Sequence, residues 1–252
     1  MSQLEKVFGF HAIEALLHHH PKRVKHIWLA EGRADPRAQA VLELAERGRI
    51  PVGQIERREL DASIEGVHQG VVAEVSPSQV WGEAMLDELL DRADEPPLLL
   101  VLDGVTDPHN LGACLRTADA GGALAVIVPK DKSATLNATV RKVACGAAEV
   151  MPLVAVTNLV RTLEKLQQRG VWVVGTAGEA SKALYDHDLT GPLAIVMGAE
   201  GKGMRRLTRE RCDFLASLPM SGSVSSLNVS VASGVCLFEA RRQRIANVAR
   251  NA

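Results

Sequence analysis

From residue 98 onward, runs that are apolar at nearly every position alternate with stretches of helical character: 98–102, 125–128, 150–153, 171–175, 193–197 and 214–218. Runs of this length are strands, and continuous rather than alternating apolarity means that both faces of the sheet are covered. Strands separated by helices predict an α/β unit with a mostly parallel sheet. In such a sheet ligands bind in the crevice beyond the carboxyl ends of the strands, so the polar residues that follow these runs are where chemistry is sought. The last stretch, 226–247, predicts a long helix, polar at its start and basic toward its end at Arg241, Arg242 and Arg244, as the helix macrodipole favours.

The first 75 residues have the weaker periodicity of a small α/β unit. A helix over 11–19, a strand over 24–29, a helix over 36–47 and a strand near 50–52 precede a strand over 71–75. Between the two units, Ser76-Pro77-Ser78 and an acidic stretch ending in Asp94-Glu95-Pro96-Pro97 read as a linker containing a short helix. A chain of 252 residues accommodates two such domains. Net charge is −1 overall, but it is distributed as −1 over 1–75, −5 over 76–95 and +5 over 96–252. A balanced chain with a pI near 6.7 does not coat nucleic acid non-specifically, whereas the basic excess falls where the polar strand ends are.

Several function classes drop out. Cys114, Cys145, Cys212 and Cys236 lie too far apart for a Cys-x-x-Cys pair, and Met1-Ser2-Gln3-Leu4-Glu5-Lys6 has no apolar signal core, so a reduced, cytoplasmic protein is expected. The apolar runs fall well short of the roughly 20 residues of a membrane span. Gly198-Ala199-Glu200-Gly201-Lys202-Gly203 lacks the four-residue gap and the hydroxyl after Lys of a Walker loop. The run 98–102 leads into Asp103-Gly104-Val105-Thr106-Asp107-Pro108 and not into a Gly-x-Gly-x-x-Gly dinucleotide fingerprint. No Gly-x-Ser-x-Gly elbow occurs among residues 221–233. Consecutive His18-His19-His20 point in different directions on a helix, so no metal site is expected.

Three segments remain, each beginning at a strand end: Asp107-Pro108-His109-Asn110-Leu111-Gly112-Ala113-Cys114-Leu115-Arg116-Thr117-Ala118, Ile195 to Gly203, and Leu218-Pro219-Met220 through Ser225-Ser226-Leu227-Asn228-Val229-Ser230. Their order, spacing and residue types resemble the three motifs of the SpoU (TrmH-type) RNA ribose 2′-O-methyltransferases, a branch of the SPOUT superfamily. The specific part is Asn-x-Gly-x-x-x-Arg-Thr-Ala, Gly-x-Glu-Gly-x-Gly and Ser-Leu-Asn-Val-Ser in this order. The resemblance spans the chain. It implies an L30e-like RNA substrate-binding α/β domain over 1–76, a linker over 77–95, and over 96–252 a SPOUT α/β-knot methyltransferase domain with a mostly parallel sheet and a carboxyl-terminal trefoil knot. Among family members, the two-domain layout with Val7-Phe8-Gly9 near its start resembles most the branch that methylates a guanosine 2′-oxygen in the P-loop of 23S rRNA. The implied cofactor is S-adenosyl-L-methionine without metal. The implied partners are 23S rRNA or a large ribosomal subunit precursor and a second copy of the chain, a homodimer whose active site draws on both protomers, with no membrane or DNA partner. Transfer-RNA ribose methylation, a non-catalytic ribosome-assembly factor and a small-molecule α/β enzyme are the competing readings.

The resemblance also implies residue roles. Asn110, Arg116, Glu200, Ser226 and Asn228 gather around the ribose. Thr176, Ala177, Gly198, Glu200, Gly203, Leu218, Met220 and Leu227 line the cofactor pocket. Each has a blander alternative: Arg116 paired with Asp103 or Asp107, Glu200 and Ser226 as helix caps, and His68-Gln69-Gly70 as a turn. From spacing, Asn110 and Arg116 sit one to two turns apart on a helix and both can point into the crevice. The family's Arg has been proposed to activate the hydroxyl. Lowering an Arg pKa from above 12 to near 7 costs roughly 7 kcal/mol, so a phosphate-binding and electrostatic role is physically cheaper.

Overall fold

A computed structural model describes residues 4–64, 67–77 and 81–251. Residues 1–3 of the amino terminus and 78–80 of the expected linker lie outside the described residues. The chain divides into two compact units, Met1–Gln79 with Cys145–Val150, and Val80–Ala144 with Met151–Ala252.

The first unit runs β1 (Glu5–Phe8), α1 (Phe10–His19), β2 (Val24–Ala30), α2 (Pro36–Arg47), β3 (Val52–Ile55), α3 (Arg57–Ser63) and β4 (Val71–Val75). Its sheet has the order β1-β4-β2-β3, parallel only between β2 and β3. α2 starts where it does because Asp35 accepts the N–H groups of Arg37 and Ala38 and Pro36 opens the first turn. Phe10, Ile13 and Leu16 of α1 pack with Val41 of α2 against Ile27 and Val71. Neither β1 nor α3 is legible in the pattern, because each buries a single residue, Val7 and Leu60. The strand expected near 50–52 lies further on, at Val52–Ile55, since Arg49 takes a left-handed turn (φ 52°) and Pro51 has no N–H to give to a ladder.

The second unit continues with α4 (Glu83–Asp91), β5 (Leu98–Asp103), α5 (Pro108–Ala120), β6 (Ala125–Pro129) and α6 (Ala138–Ala144). After α7 (Ala147–Val150), which clusters with the first unit, come β7 (Leu153–Val156), α8 (Leu159–Gln168), β8 (Trp172–Thr176), β9 (Leu193–Gly198), α9 (Arg206–Glu210), β10 (Phe214–Ala216) and α10 (Val229–Asn251). The sheet order is β10-β8-β9-β5-β6-β7 and every pair is parallel. All six residues of the central β5 are buried, as its unbroken apolar run requires. The expected strand over 150–153 is corrected to Leu153–Val156: residues 147–150 are helical, and Pro152 has no N–H for the ladder.

Residues 81–91, in the stretch expected to link the domains, fold against the second unit. Trp81 forms a bridge with Val154, and Leu86 of α4 enters the core beneath β5, β6 and β7. The acidic residues of α4 occupy its outer face and mask this amphipathic helix in the sequence.

Small residues let the helices near the motif-bearing ends approach closely. A Cβ on Gly112 of α5 would lie 2.8 Å from the Val140 carbonyl oxygen of α6, and one on Gly121 would lie 3.1 Å from Leu237 Cβ of α10. Arg244 of α10 is half-buried and donates to the carbonyl oxygens of Pro96 (2.6 Å) and Gly191 (2.7 Å), pinning the last helix beside the start of β5. On the opposite flank α10 leaves Val231, Phe238 and Ile245 exposed, seven residues apart and therefore on one face. No helix among the described residues is long and apolar enough to cross a membrane.

Gly112→Ala is expected to destabilise the protein by about 1–3 kcal/mol despite the better helix propensity of Ala, because the added methyl meets backbone. Urea denaturation of the two proteins checks this.

Candidate active site

The site is assembled from loops at the carboxyl ends of β5, β9 and β10. Asp103 ends β5 with its carboxylate fully buried, and such a charge requires a partner. Arg205 supplies it: its guanidinium reaches Asp103 Oδ1 at 2.5 Å and its backbone N–H donates to Oδ2 at 2.8 Å. This pair ties the loop after β9 to the end of β5. That loop is itself pinched shut, with Ala199 and Gly203 exchanging backbone hydrogen bonds of 3.1 and 2.8 Å. Gly198 is required there, since a Cβ on it would sit 2.2 Å from the Gly203 carbonyl carbon.

The pinch presents Glu200 to two amides. Asn110 Nδ2 donates to Glu200 Oε1 at 3.0 Å, Asn228 Nδ2 donates to the same oxygen at 2.6 Å, and Asn228 Nδ2 also reaches Asn110 Oδ1 at 2.9 Å. Asn228 is fixed in turn by the start of α10, where its Oδ1 accepts from the N–H and hydroxyl of Ser230 (2.9 and 2.6 Å). Asn110 is 8 % exposed, held by the α5 turn that Asp107 caps through the His109 N–H. Behind it, Cys114 of α5 faces Ser233 of α10 at 3.7 Å, and burial, aided by the Glu200 charge, pushes its thiol up to about 11.

Two cavities flank this cluster. The first, of about 460 Å³, is lined by all eight residues expected to hold a cofactor: Thr176, Ala177, Gly198, Glu200, Gly203, Leu218, Met220 and Leu227. Ser226 and Asn228 line it as well. The second, of about 630 Å³, lies on the Asn110 side and is bounded by residues 103–107, Lys132, Lys202 and Arg205. Asn110, Glu200 and Asn228 are thus brought into direct contact, with Ser226 nearby.

Arg116 is placed elsewhere. It is exposed on α5 and lines neither cavity, so the expectation that it and Asn110 point into one crevice does not hold within a single chain. Six residues along a helix amount to about 600° of rotation, which turns the two side chains to different faces. Ser226 is corrected too: it lies in the loop before α10, and Asn228 caps the helix that starts at Val229. Glu200 accepts from side-chain amides and does not cap a helix. His68 is buried in the first unit, where its Nδ1 accepts the Gly70 N–H (3.0 Å) and its Nε2 meets Asp61 (2.8 Å), so His68-Gln69-Gly70 forms a turn. Neither Arg205 nor Lys132 is singled out by the residue pattern; a charged residue closing an all-apolar strand, as Asp103 does, is the signal that a cation partner must exist, here the half-exposed Arg205.

With this geometry in place, the chain belongs to the SpoU rRNA Methylase family, which it matches over residues 97–238. Residues 6–81 match the RNA 2′-O ribose methyltransferase substrate binding family. It is 80 % identical over 246 residues to the 23S rRNA (guanosine-2′-O-)-methyltransferase RlmB of Pseudomonas syringae pv. tomato, covering 98 % of each chain. It is also 80 % identical to RlmB of Pseudomonas aeruginosa over 97 % of this chain and 98 % of that one. Among solved structures, the SpoU methyltransferase AviRb from Streptomyces viridochromogenes in complex with the cofactor AdoMet superimposes with a TM-score of 0.79 at 27 % identity, covering 97 % of this chain and 92 % of that one.

Asn228→Asp keeps the helix cap but sets a second carboxylate against Glu200 Oε1. The variant is expected to lose roughly 1–3 kcal/mol relative to wild type at pH 8 and much less at pH 4–5, where the pair can share a proton. Denaturation midpoints at the two pH values test this.

Proposed function

We propose that the protein transfers a methyl group from S-adenosyl-L-methionine to a guanosine ribose 2′-hydroxyl in the P-loop of 23S rRNA, acting in the cytoplasm on the RNA or on a large ribosomal subunit precursor. The observation that carries this reading is the Asn110–Glu200–Asn228 cluster standing between two cavities, in a chain of the SpoU family with 80 % identity to curated RlmB proteins.

The first cavity fits the cofactor. Leu218, Leu227 and Met197 give it apolar walls suited to an adenine ring, and Gly201 and Gly203, each with open space where a Cβ would lie, leave backbone groups accessible to a ligand. When bound, S-adenosylmethionine supplies a methyl carried on a sulfonium sulfur, the S–C bond breaking as the C–O bond to the ribose forms and the 2′-hydroxyl proton passing to water. Thr176, Ala177, Gly198, Gly203, Leu218, Met220 and Leu227 would hold it. Asn110, Glu200, Ser226 and Asn228 orient the ribose by hydrogen bonding. Holding the reactants in register in this way can lower a barrier by roughly 7–11 kcal/mol. Arg116 binds the adjacent phosphate electrostatically. Residues 1–76 act as the L30e-like RNA-binding domain and residues 96–252 as the catalytic domain, with residues 77–95 between them, of which 81–91 pack on the catalytic side, and the trefoil knot of the family is part of the same reading.

The protein works as a homodimer in which Arg116 of one protomer completes the site of the other. Two observations support this: Arg116 lies away from the cavities of its own chain, and Val231, Phe238 and Ile245 form an exposed stripe with heptad spacing on α10.

Arg116→Ala is expected to abolish methyl transfer to rRNA with cofactor affinity kept, measured by radiolabel transfer and calorimetry; full activity would remove Arg116 from the site. Mixing the inactive Arg116→Ala and Asn228→Ala proteins so that protomers exchange should restore about a quarter of wild-type activity, because half the dimers then hold one intact site. No restoration would mean that Arg116 acts within its own chain. Transfer to purified tRNA instead of rRNA would overturn the substrate assignment.

A further inference from the structure

The two cavities share one wall. Ala199, Glu200, Gly203 and Val229 line both, while Asn228 faces the first and Asn110 the second. In-line methyl transfer needs donor and acceptor on opposite sides of the moving carbon. With the donor held in the first cavity, the acceptor oxygen reaches the carbon from the side of Asn110. We propose that the second cavity seats the acceptor nucleotide, and that Lys132, assisted by Lys202, binds its phosphate there. This inference rests on the ribose-methylation reading and assigns the substrate side of the site within it.

At about 630 Å³ the cavity has the size of a small-molecule pocket and can enclose a nucleotide turned out of its stack. Its charges are already sorted. Asp103 and Arg205 form a closed pair, Glu200 takes the two amides, and Asp107 caps α5. Among the described residues, Lys132 and Lys202 have no ion-pair partner, which leaves two ammonium groups on the wall for an anion. Lys132 is also held in place. It occupies the left-handed region (φ 58°), disfavoured for any residue with a Cβ, and two residues later the Ala134 N–H donates to the Val105 carbonyl at 2.8 Å, tying the loop after β6 to the cavity's other wall.

The test is methyl transfer to an rRNA fragment over a salt series by the full-length enzyme. Lys132→Met removes the charge and keeps the stem. It should lower kcat/KM for RNA about tenfold, through KM, and flatten the slope of log(kcat/KM) against log[salt] by about 0.7–0.9, the effect of one lost phosphate contact. Lys132→Arg should restore the slope, and adding Lys202→Met to Lys132→Met should flatten it further. An unchanged KM and salt slope in Lys132→Met would overturn the proposal, as would a matching loss of S-adenosylmethionine affinity by calorimetry, which would mark a structural role. Failure of wild-type enzyme to methylate rRNA at all would instead remove the parent reading.

Discussion

One carboxylate oxygen, Glu200 Oε1, receives donors from two amides that lie 90 residues before it and 28 after it in the chain. A hydrogen bond to a charged acceptor contributes about 1.5–3 kcal/mol. These two form only when β5 and β9 are neighbours, when the 198–203 loop is pinched, and when α10 returns across the same end of the sheet. The rest of the second unit serves that convergence: the Asp103–Arg205 pair fixes the loop after β9 from below, and Arg244 anchors α10 from its far end.

The arrangement is one of positioning. What the residues provide is a rigid partition between two chambers, made of planar amides and one carboxylate whose directions are set by hydrogen bonds among themselves. A displacement on a cationic sulfonium asks for alignment above all, since the neutral thioether departs readily and the attacking oxygen becomes acidic as its new bond forms. The glycines at the pinch and the small residues between α5, α6 and α10 then have a common purpose, allowing backbone to come close enough for the partition to be thin.

Much of this was legible in the residue pattern. The continuous apolar runs located five of the six strands of the larger sheet, and the three polar segments held six of the eight residues expected in the cofactor cavity, Thr176 and Ala177 coming instead from the end of β8. Element starts were less readable. Ser226 and Asn228 are both good caps, and only the path of the chain decides that Asn228 takes the role. The pattern could not show which face of α5 Arg116 occupies, because the helix register depends on which side packs against α6 and α10. Nor could it show Arg205 meeting Asp103 across 102 residues, a pairing that local sequence does not encode. β1 and α3 were invisible for a simpler reason, too few apolar side chains to make a period.

Asn228 belongs at once to the partition and to the first turn of the longest helix. Unwinding that turn frees its side chain from Ser230 and with it both contacts that Asn228 makes with Glu200 and Asn110. Fraying at a helix start needs far less free energy than global unfolding, so the protein possesses an inexpensive disassembled state of its own centre. Occupancy of either chamber must oppose that fraying, and amide hydrogen exchange at residues 229–231 becomes a direct gauge of how full the centre is.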